Sequence, residues 1–133
     1  MVTEFFMPMR PPTQTHQEKS VRVVKGKPVF YEPAELKAAR AKLEAHLAGH
    51  KPNESMSGAL RLMVKWCFPL SGIHEEGEYK TTKPDTDNLQ KLLKDVMTGL
   101  GFWKDDAQVA SEIVEKFYSG VPGIYVHLEE IEE

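Results

Sequence analysis

The sequence has little cysteine and no long hydrophobic run, and each absence excludes a large class of proteins. Cys67 is the single cysteine among 133 residues, so the chain can form no internal disulfide and has no cysteine-based metal site. No segment approaches the roughly 18 consecutive apolar residues of a membrane helix, and residues 1–10 lack the pattern of a signal peptide. We therefore expect a globular, cytoplasmic protein with no membrane partner.

Positive charge is also scarce when the chain is taken as a whole. Lys and Arg number 17 against 20 Asp and Glu, a formal net charge of −3. Proteins that bind nucleic acid usually carry an excess of positive charge. The distribution is uneven, however: residues 1–80 hold 12 basic and 9 acidic side chains (+3), and residues 81–133 hold 5 and 11 (−6), with an acidic end at 129–133. The net charge of the whole chain therefore conceals an excess of positive charge in residues 1–80.

The length predicts a single domain over residues 1–133, with two main helices. The first helix is predicted at 32–49, where Pro33 suits the first helical position. The second is predicted at about 88–99, because its apolar residues recur with helical spacing. These apolar residues are Leu89, Leu92, Leu93, Val96, Met97 and Leu100.

Strands are predicted on both sides of these helices. Residues 2–7 suit a short strand, residues 60–68 alternate between apolar and other side chains, and residues 124–131 suit a closing strand. Two more short strands are expected on either side of a turn at 25–27, whereas residues 109–118 suit a helix or a strand equally well. Together these elements predict an α+β (α/β-like) fold, a mixed β-sheet packed by two main helices.

Acidic side chains are concentrated in residues 83–106. Asp85 and Asp87 follow Pro84, which disfavours helical geometry at the residue before it. If the segment from Asp85 to Asp87 is extended, both carboxylates point to the same side, with Cβ atoms about 7 Å apart. Asp87 is also suited to cap the helix that follows. A polar turn with an acidic helix cap would by itself account for this pair.

Three further residues favour a chemical role for this segment. Lys91 lies one helical turn after Asp87 and shares its face, opposite the leucine stripe. Asp105 and Asp106 follow the helix, and the connecting chain is just long enough to return them to the first pair. Clustered carboxylates resist ionisation beside one another, a cost that a divalent cation such as Mg²⁺ removes. Acids, a metal ion and a lysine suit hydrolysis of a phosphodiester.

Residues 83–109 contain two characteristic stretches. The first is Lys-Pro-Asp-Thr-Asp-Asn-Leu-Gln-Lys at 83–91, followed by Asp95, and the second is Gly-Phe-Trp-Lys-Asp-Asp-Ala-Gln-Val at 101–109. Together they resemble the RusA family of Holliday-junction resolvases. The length of the chain and the order of its elements are also similar, including a Pro-rich turn followed by a basic arm at about 10–30. The resemblance favours a strand at 109–118.

The resemblance implies a homodimeric, Mg²⁺-dependent endonuclease. Such an enzyme is a resolvase that cuts four-way DNA junctions by paired symmetric hydrolysis, in DNA recombination and repair and in a prophage setting. One or two Mg²⁺ ions per site are expected, with Mn²⁺ able to substitute. Carried over position by position, the catalytic residues are Asp85, Asp87, Lys91 and Asp106, with the three aspartates as metal ligands. Asp105 also matches a family acid and would bind the metal or support its ligands.

The basic arm has two interpretations. Residues 10–27 contain five basic side chains and one acid, which suits either a solvated surface loop or a set of phosphate contacts that position DNA. The resemblance favours DNA contact. The candidate DNA-binding residues are Arg10, His16, Lys19, Arg22, Lys25, Lys27 and Lys83.

Two other functions stay open on the sequence alone. One is a protein that grips branched DNA without cutting it, although the acids and the lysine at every matched position argue against this. The other is a Mg²⁺-dependent phosphohydrolase with a small substrate. A junction-cleavage assay with and without Mg²⁺ separates these functions.

Overall fold

The computed structural model describes residues 1–15, 20–31 and 33–132, with the main chain alone at 20–22, 24 and 29–31. In chain order, its elements are β1 (Val2–Pro8), β2 (Ser20–Val24), β3 (Lys27–Tyr31), α1 (Ala34–Ala48), β4 (Leu60–Pro69), α2 (Thr86–Leu100), one 3₁₀ turn (Asp106–Gln108), β5 (Val109–Ser119) and β6 (Gly123–Glu130).

Four of the strands form a mixed sheet in the order β1-β6-β4-β5. β4 pairs antiparallel with β6 on one side and parallel with β5 on the other. Parallel neighbours need a long crossover connection, and α2 lies in the one between β4 and β5. The mixed sheet and the two helices confirm the predicted α+β fold, and residues 109–118 are a strand.

The core lies between one face of the sheet and the two helices. Alternate side chains of β4 are buried, from Leu60 to Phe68, and the intervening ones are half-buried. The leucine stripe of α2 is buried from Leu89 to Met97 and partly buried at Leu100, and α1 contributes Leu36, Leu43 and Leu47. The helices therefore cover the face of β4 that carries Trp66. No helix among the described residues is long and apolar enough to span a membrane.

The first helix begins at Ala34, one residue after Pro33. Pro33 is the N-cap of α1, with an extended ψ of 154°, and its carbonyl accepts a hydrogen bond from the Lys37 N–H at 3.1 Å. The prediction that Pro33 is the first helical residue is wrong because the proline ring fixes φ alone and leaves ψ free to be extended.

The basic arm contains the predicted pair of short strands. β2 and β3 form an antiparallel hairpin that is separate from the main sheet. Its turn consists of Lys25 and Gly26, with φ angles of 51° and 75°, and two-residue turns of this kind match the twist of paired strands. Lys25 and Lys27 are both exposed at this turn.

Gly123 allows β1 and β6 to pair closely, and we expect Gly123→Ala to be destabilising. A Cβ atom there would overlap the Phe6 ring and lie 2.6 Å from the Met7 carbonyl oxygen. The free energy of unfolding should fall by about 1–3 kcal/mol, as in other overpacked sites. Gly120→Ala is the control, since its nearest neighbour, a Leu70 methyl carbon, would be 3.6 Å away. Urea denaturation checks both, and equal stabilities would contradict the prediction.

Candidate active site

The N-terminus of α2 places Asp85 and Asp87 differently from the prediction. Asp85 is the N-cap, with extended backbone, and its carbonyl accepts a hydrogen bond from the Leu89 N–H at 3.1 Å. Thr86 and Asp87 already belong to the first helical turn, where the helix dipole favours an acid. The condition of an extended segment from Asp85 to Asp87 is therefore not met, and the predicted Asp87 cap is wrong, because Asp85 is the N-cap. Asp85 and Asp87 thus have different backbone conformations, and of the two Asp87 lines a groove beside α2 whereas Asp85 does not.

An open groove of about 450 Å³ lies beside the first half of α2. Asp87, Lys91 and Asp106 all line it, so the chain after α2 does return as predicted. Side chains of α2 form one wall, β5 forms another, and the 3₁₀ turn supplies Asp106. The complete lining is Thr86, Asp87, Gln90, Lys91, Lys94, Asp95, Asp106, Glu112 and Val114.

The three predicted residues in the groove are available to a ligand. Asp87, Lys91 and Asp106 are exposed. Within the part of the chain that the structure describes, none of the three side chains has a hydrogen-bond or ion-pair partner. Charged groups that face one groove without internal partners can bind an ion or a phosphate without first breaking an existing interaction.

The floor of the groove is fixed by a hydrogen-bonded network that sequence reasoning missed. The buried Trp66 Nε1–H donates to Gln90 Oε1 at 2.7 Å, and Gln90 Nε2 donates to Glu112 Oε2 at 2.7 Å. Lys94 Nζ donates to Glu112 Oε1 at 3.1 Å. Gln90 is only 3% exposed. The Glu112 carboxylate is therefore held in place by residues of the core. The sequence signal that could have indicated this network is the polar Gln90 beside the leucine stripe.

Gln90→Leu should lower the free energy of unfolding by about 1–3 kcal/mol, because the buried Trp66 N–H then has no partner. Trp66→Phe removes the same hydrogen bond from the other side, because Gln90 Oε1 then loses its donor. If the two side chains interact as described, the double variant is destabilised by less than the sum of the two single variants. Urea unfolding of all four proteins measures this coupling, and simple additivity would rule it out.

Asp105 lies outside the groove and holds the 3₁₀ turn. Its carboxylate accepts a hydrogen bond from the Ala107 N–H at 2.9 Å, while Gln108 Oε1 accepts from the Asp105 N–H at 3.1 Å. This reciprocal capping box fixes the turn that carries Asp106. The predicted role of Asp105 as a metal ligand or a support for one stays a prediction.

The candidate DNA-binding residues whose side chains the structure describes do not line the groove. Lys83 is exposed two residues before Asp85, and Arg10 is exposed after β1. Lys25 and Lys27 lie at the hairpin turn. The side chains of the other three candidates are not described: His16 and Lys19 lie outside the described residues, and Arg22 is described by its main chain alone.

The donor set of the groove suits a divalent metal that needs few protein ligands. No three His, Cys, Asp or Glu side chains among the described residues come together as a ready-made metal site. Mg²⁺ does not require one, because it commonly binds one or two carboxylates and keeps water or phosphate oxygens as its other ligands. Asp87 and Asp106 offer hard oxygen donors in one groove, which fits such an ion.

The fold and the groove together define a class of protein. Exposed acids beside a lysine, in an open groove of a small α+β domain, have the chemistry of enzymes that cleave phosphodiesters.

Comparison with known proteins identifies the family. The family model described as Endodeoxyribonuclease RusA matches residues 8–129, and the chain belongs to the RusA family. It is 35% identical to the crossover junction endodeoxyribonuclease rusA of Lactococcus phage r1t, over 80% of this chain and 79% of the relative. It is 30% identical to the uncharacterized protein YqaN of Bacillus subtilis (strain 168), over 91% of each chain. The resemblance seen in the sequence is confirmed, and the phage relative fits the expected prophage type.

Proposed function

We propose that this protein is a Mg²⁺-dependent Holliday-junction resolvase that acts in recombination and repair in the cytoplasm. The observation that carries the proposal is the groove in which Asp87, Lys91 and Asp106 meet without internal partners among the described residues. Membership of the RusA family and the printed activity of the phage relative support the same substrate.

In the proposed mechanism, Asp87 and Asp106 would hold the metal, and Asp85 at the helix N-cap would be a further ligand. Bound Mg²⁺, or Mn²⁺ in its place, would supply a water molecule of lowered pKa and positive charge for the leaving oxygen. Lys91 faces the scissile phosphate and stabilises the negative charge that develops on its oxygens. Asp105 acts through the turn, by keeping Asp106 directed at the groove.

The proposed enzyme is a homodimer. A four-way junction with two-fold symmetry needs two equivalent cuts, and a two-fold dimer presents two equivalent sites. Phosphate contacts from the basic arm and from Lys83 would hold the junction without reading its sequence.

Cleavage of a synthetic four-way junction tests the proposed function. Each strand is labelled in turn, and purified protein with Mg²⁺ should nick two opposite strands symmetrically while a linear duplex of the same sequence stays mostly intact. EDTA should stop the reaction. Cutting that survives EDTA would contradict the metal mechanism, and junction binding with no cutting at all would favour the non-cleaving alternative.

The hairpin turn makes a separate prediction about binding. Because Lys25 and Lys27 are exposed, replacing both with Ala should weaken junction binding. The slope of log affinity against log salt should become shallower by about 0.9 for each phosphate that the variant no longer neutralises. Lys37→Ala with Lys51→Ala, which removes two exposed lysines elsewhere, is the matched control. An unchanged salt slope in the hairpin variant would remove the turn from the DNA interface.

A further inference from the structure

Lys116 lies on β5, the strand that also carries Glu112 and Val114 of the groove. In the parallel pairing of β4 and β5, Lys116 is the partner of Trp66. Its side chain therefore belongs to the helix-covered face of the sheet, the same face as Glu112 and Val114 in the groove. This places an ammonium group beside the segment that leads into α2.

The ammonium group of Lys116 holds that segment by two hydrogen bonds. Nζ donates to the carbonyl oxygens of Thr82 and Pro84, each at 2.8 Å. The Pro84 carbonyl belongs to the peptide unit that joins Pro84 to Asp85. Lys116 is therefore bonded to the backbone that sets the direction of Asp85.

The main chain around Lys116 holds the earlier part of the same segment. The Lys80 N–H donates to the Lys116 carbonyl at 3.0 Å, and the Tyr118 N–H donates to the Glu78 carbonyl at 2.9 Å. Tyr79 and Phe117 form an isolated antiparallel bridge between these two bonds. The approach to α2 is thus attached to β5 by the main chain of Lys116 and, further along, by its side chain.

The surroundings of Lys116 are unusual for a surface lysine. Burial and the nearby charge of Lys80 hold the pKa of its ammonium group below the ordinary value, while the charge of Asp85 acts in the opposite direction. Its hydrogen bonds go to two neutral carbonyl groups and not to a carboxylate. These two hydrogen bonds therefore restrain the backbone at Thr82 and Pro84 and do not neutralise a negative charge.

We propose that Lys116 is a positioning residue of the nuclease site, which fixes the 82–85 segment and thereby sets the position of Asp85, the residue before the groove-lining Thr86. The inference rests on the proposed function, because it gives Asp85 a part in cleavage. It adds a second lysine to the site, one that acts through Asp85 and not on the phosphate.

The first test is Lys116→Met, which keeps most of the length of the side chain and removes the ammonium group. At saturating junction, kcat should fall about 10- to 100-fold, as when other groups that orient metal ligands are removed. Junction affinity measured without metal, and the melting temperature, should stay close to those of the parent. Hydrogen exchange in a peptide covering residues 78–90 should become faster, because it contains the bonded N–H groups of Lys80 and Leu89 at the two ends of the segment. This readout does not depend on cleavage.

Restoring the amine gives a control within the same protein. In a Cys67→Ser background, Lys116→Cys treated with 2-bromoethylamine gains a lysine-like aminoethyl group, and both kcat and slow exchange should recover. Treatment with iodoethane adds an ethyl group, which has no hydrogen-bond donor and no charge, and should restore neither.

Lys80→Met tests whether loss of any nearby positive charge has the same effect. Lys80 Nζ donates to the Thr82 hydroxyl at 2.8 Å, so this variant removes a nearby charge and one side-chain bond to the segment. It leaves both carbonyl bonds of Lys116 intact, and kcat should fall by less than in Lys116→Met. An equal fall of kcat in this variant, or unchanged kcat and exchange in Lys116→Met, would overturn the proposal. A parent protein that fails to cut the junction would contradict the proposed function, while the exchange result still decides whether Lys116 holds the segment.

Discussion

Asp87→Asn is expected to reduce junction cleavage by about 10³-fold and to leave junction binding intact or tighter. The Asp87 carboxylate lines the groove, is exposed and has no polar partner among the described residues. The amide keeps the size of the side chain, removes the anionic ligand and ends its repulsion of DNA phosphates. The fold should lose only the helix-dipole contribution of the acid, about 0.3–1 kcal/mol.

Glu35→Gln is the matched control for Asp87→Asn. Glu35 is an exposed acid in the first turn of α1, as Asp87 is in the first turn of α2. Both substitutions remove a charge from the first turn of a helix, and of the two acids Asp87 is the one that faces the groove. Cleavage rates, junction affinity and melting temperature are measured for both proteins. Loss of binding or of the fold in Asp87→Asn would mean that Asp87 is structural, and unchanged cutting would remove it from the chemistry.

The elements that the sequence predicts well are those with one buried face. The alternation of β4 and the leucine stripe of α2 both appear in the structure as buried faces, because burial of one face imposes a regular period on a sequence. β5 is different, since most of its residues on both faces are partly exposed. It is an edge strand beside β4, and a strand with no clean buried face has no clean period.

The candidate site was predictable only in part. The spacing along α2 predicted that Asp87 and Lys91 share a face, and chain length allowed the return of Asp106; all three line the groove. The helix start at Thr86 could not be predicted from the segment, because extended and helical conformations of the two acids are both compatible with Pro84. Glu112 and Lys116 depend on the register of β5 against β4, which is a property of the folded sheet.

The charge distribution also has a structural basis. Two residues of the acidic end are tied into the fold: Glu129 pairs with Arg61 at 2.8 Å, and Glu130 accepts a hydrogen bond from the Ser57 N–H at 2.8 Å. The hydrogen bond from Arg61 lowers the pKa of Glu129. These acids are used within the fold, so the formal net charge of −3 does not describe the surface offered to DNA.

Lys91→Met is expected to have the second-largest effect, a fall in kcat of about 10²- to 10³-fold at saturating junction. Lys91 is exposed, lines the groove and has no ion-pair partner among the described residues, so the fold should not depend on it. Its charge is needed most when negative charge develops on the phosphate, and kcat should therefore fall much more than junction affinity.

Lys104→Met separates this role from a general loss of positive charge. Lys104 is an exposed lysine after α2 that lines a different cavity, so the two variants carry the same change in net charge. If Lys91 stabilises the transition state, Lys104→Met cuts like the parent and Lys91→Met does not, although both bind the junction with similar affinity. A shared loss of affinity with unchanged kcat would instead show that Lys91 only attracts DNA. In that case, the catalytic side chains of the groove would be its acids alone, although Lys91 lines the same groove.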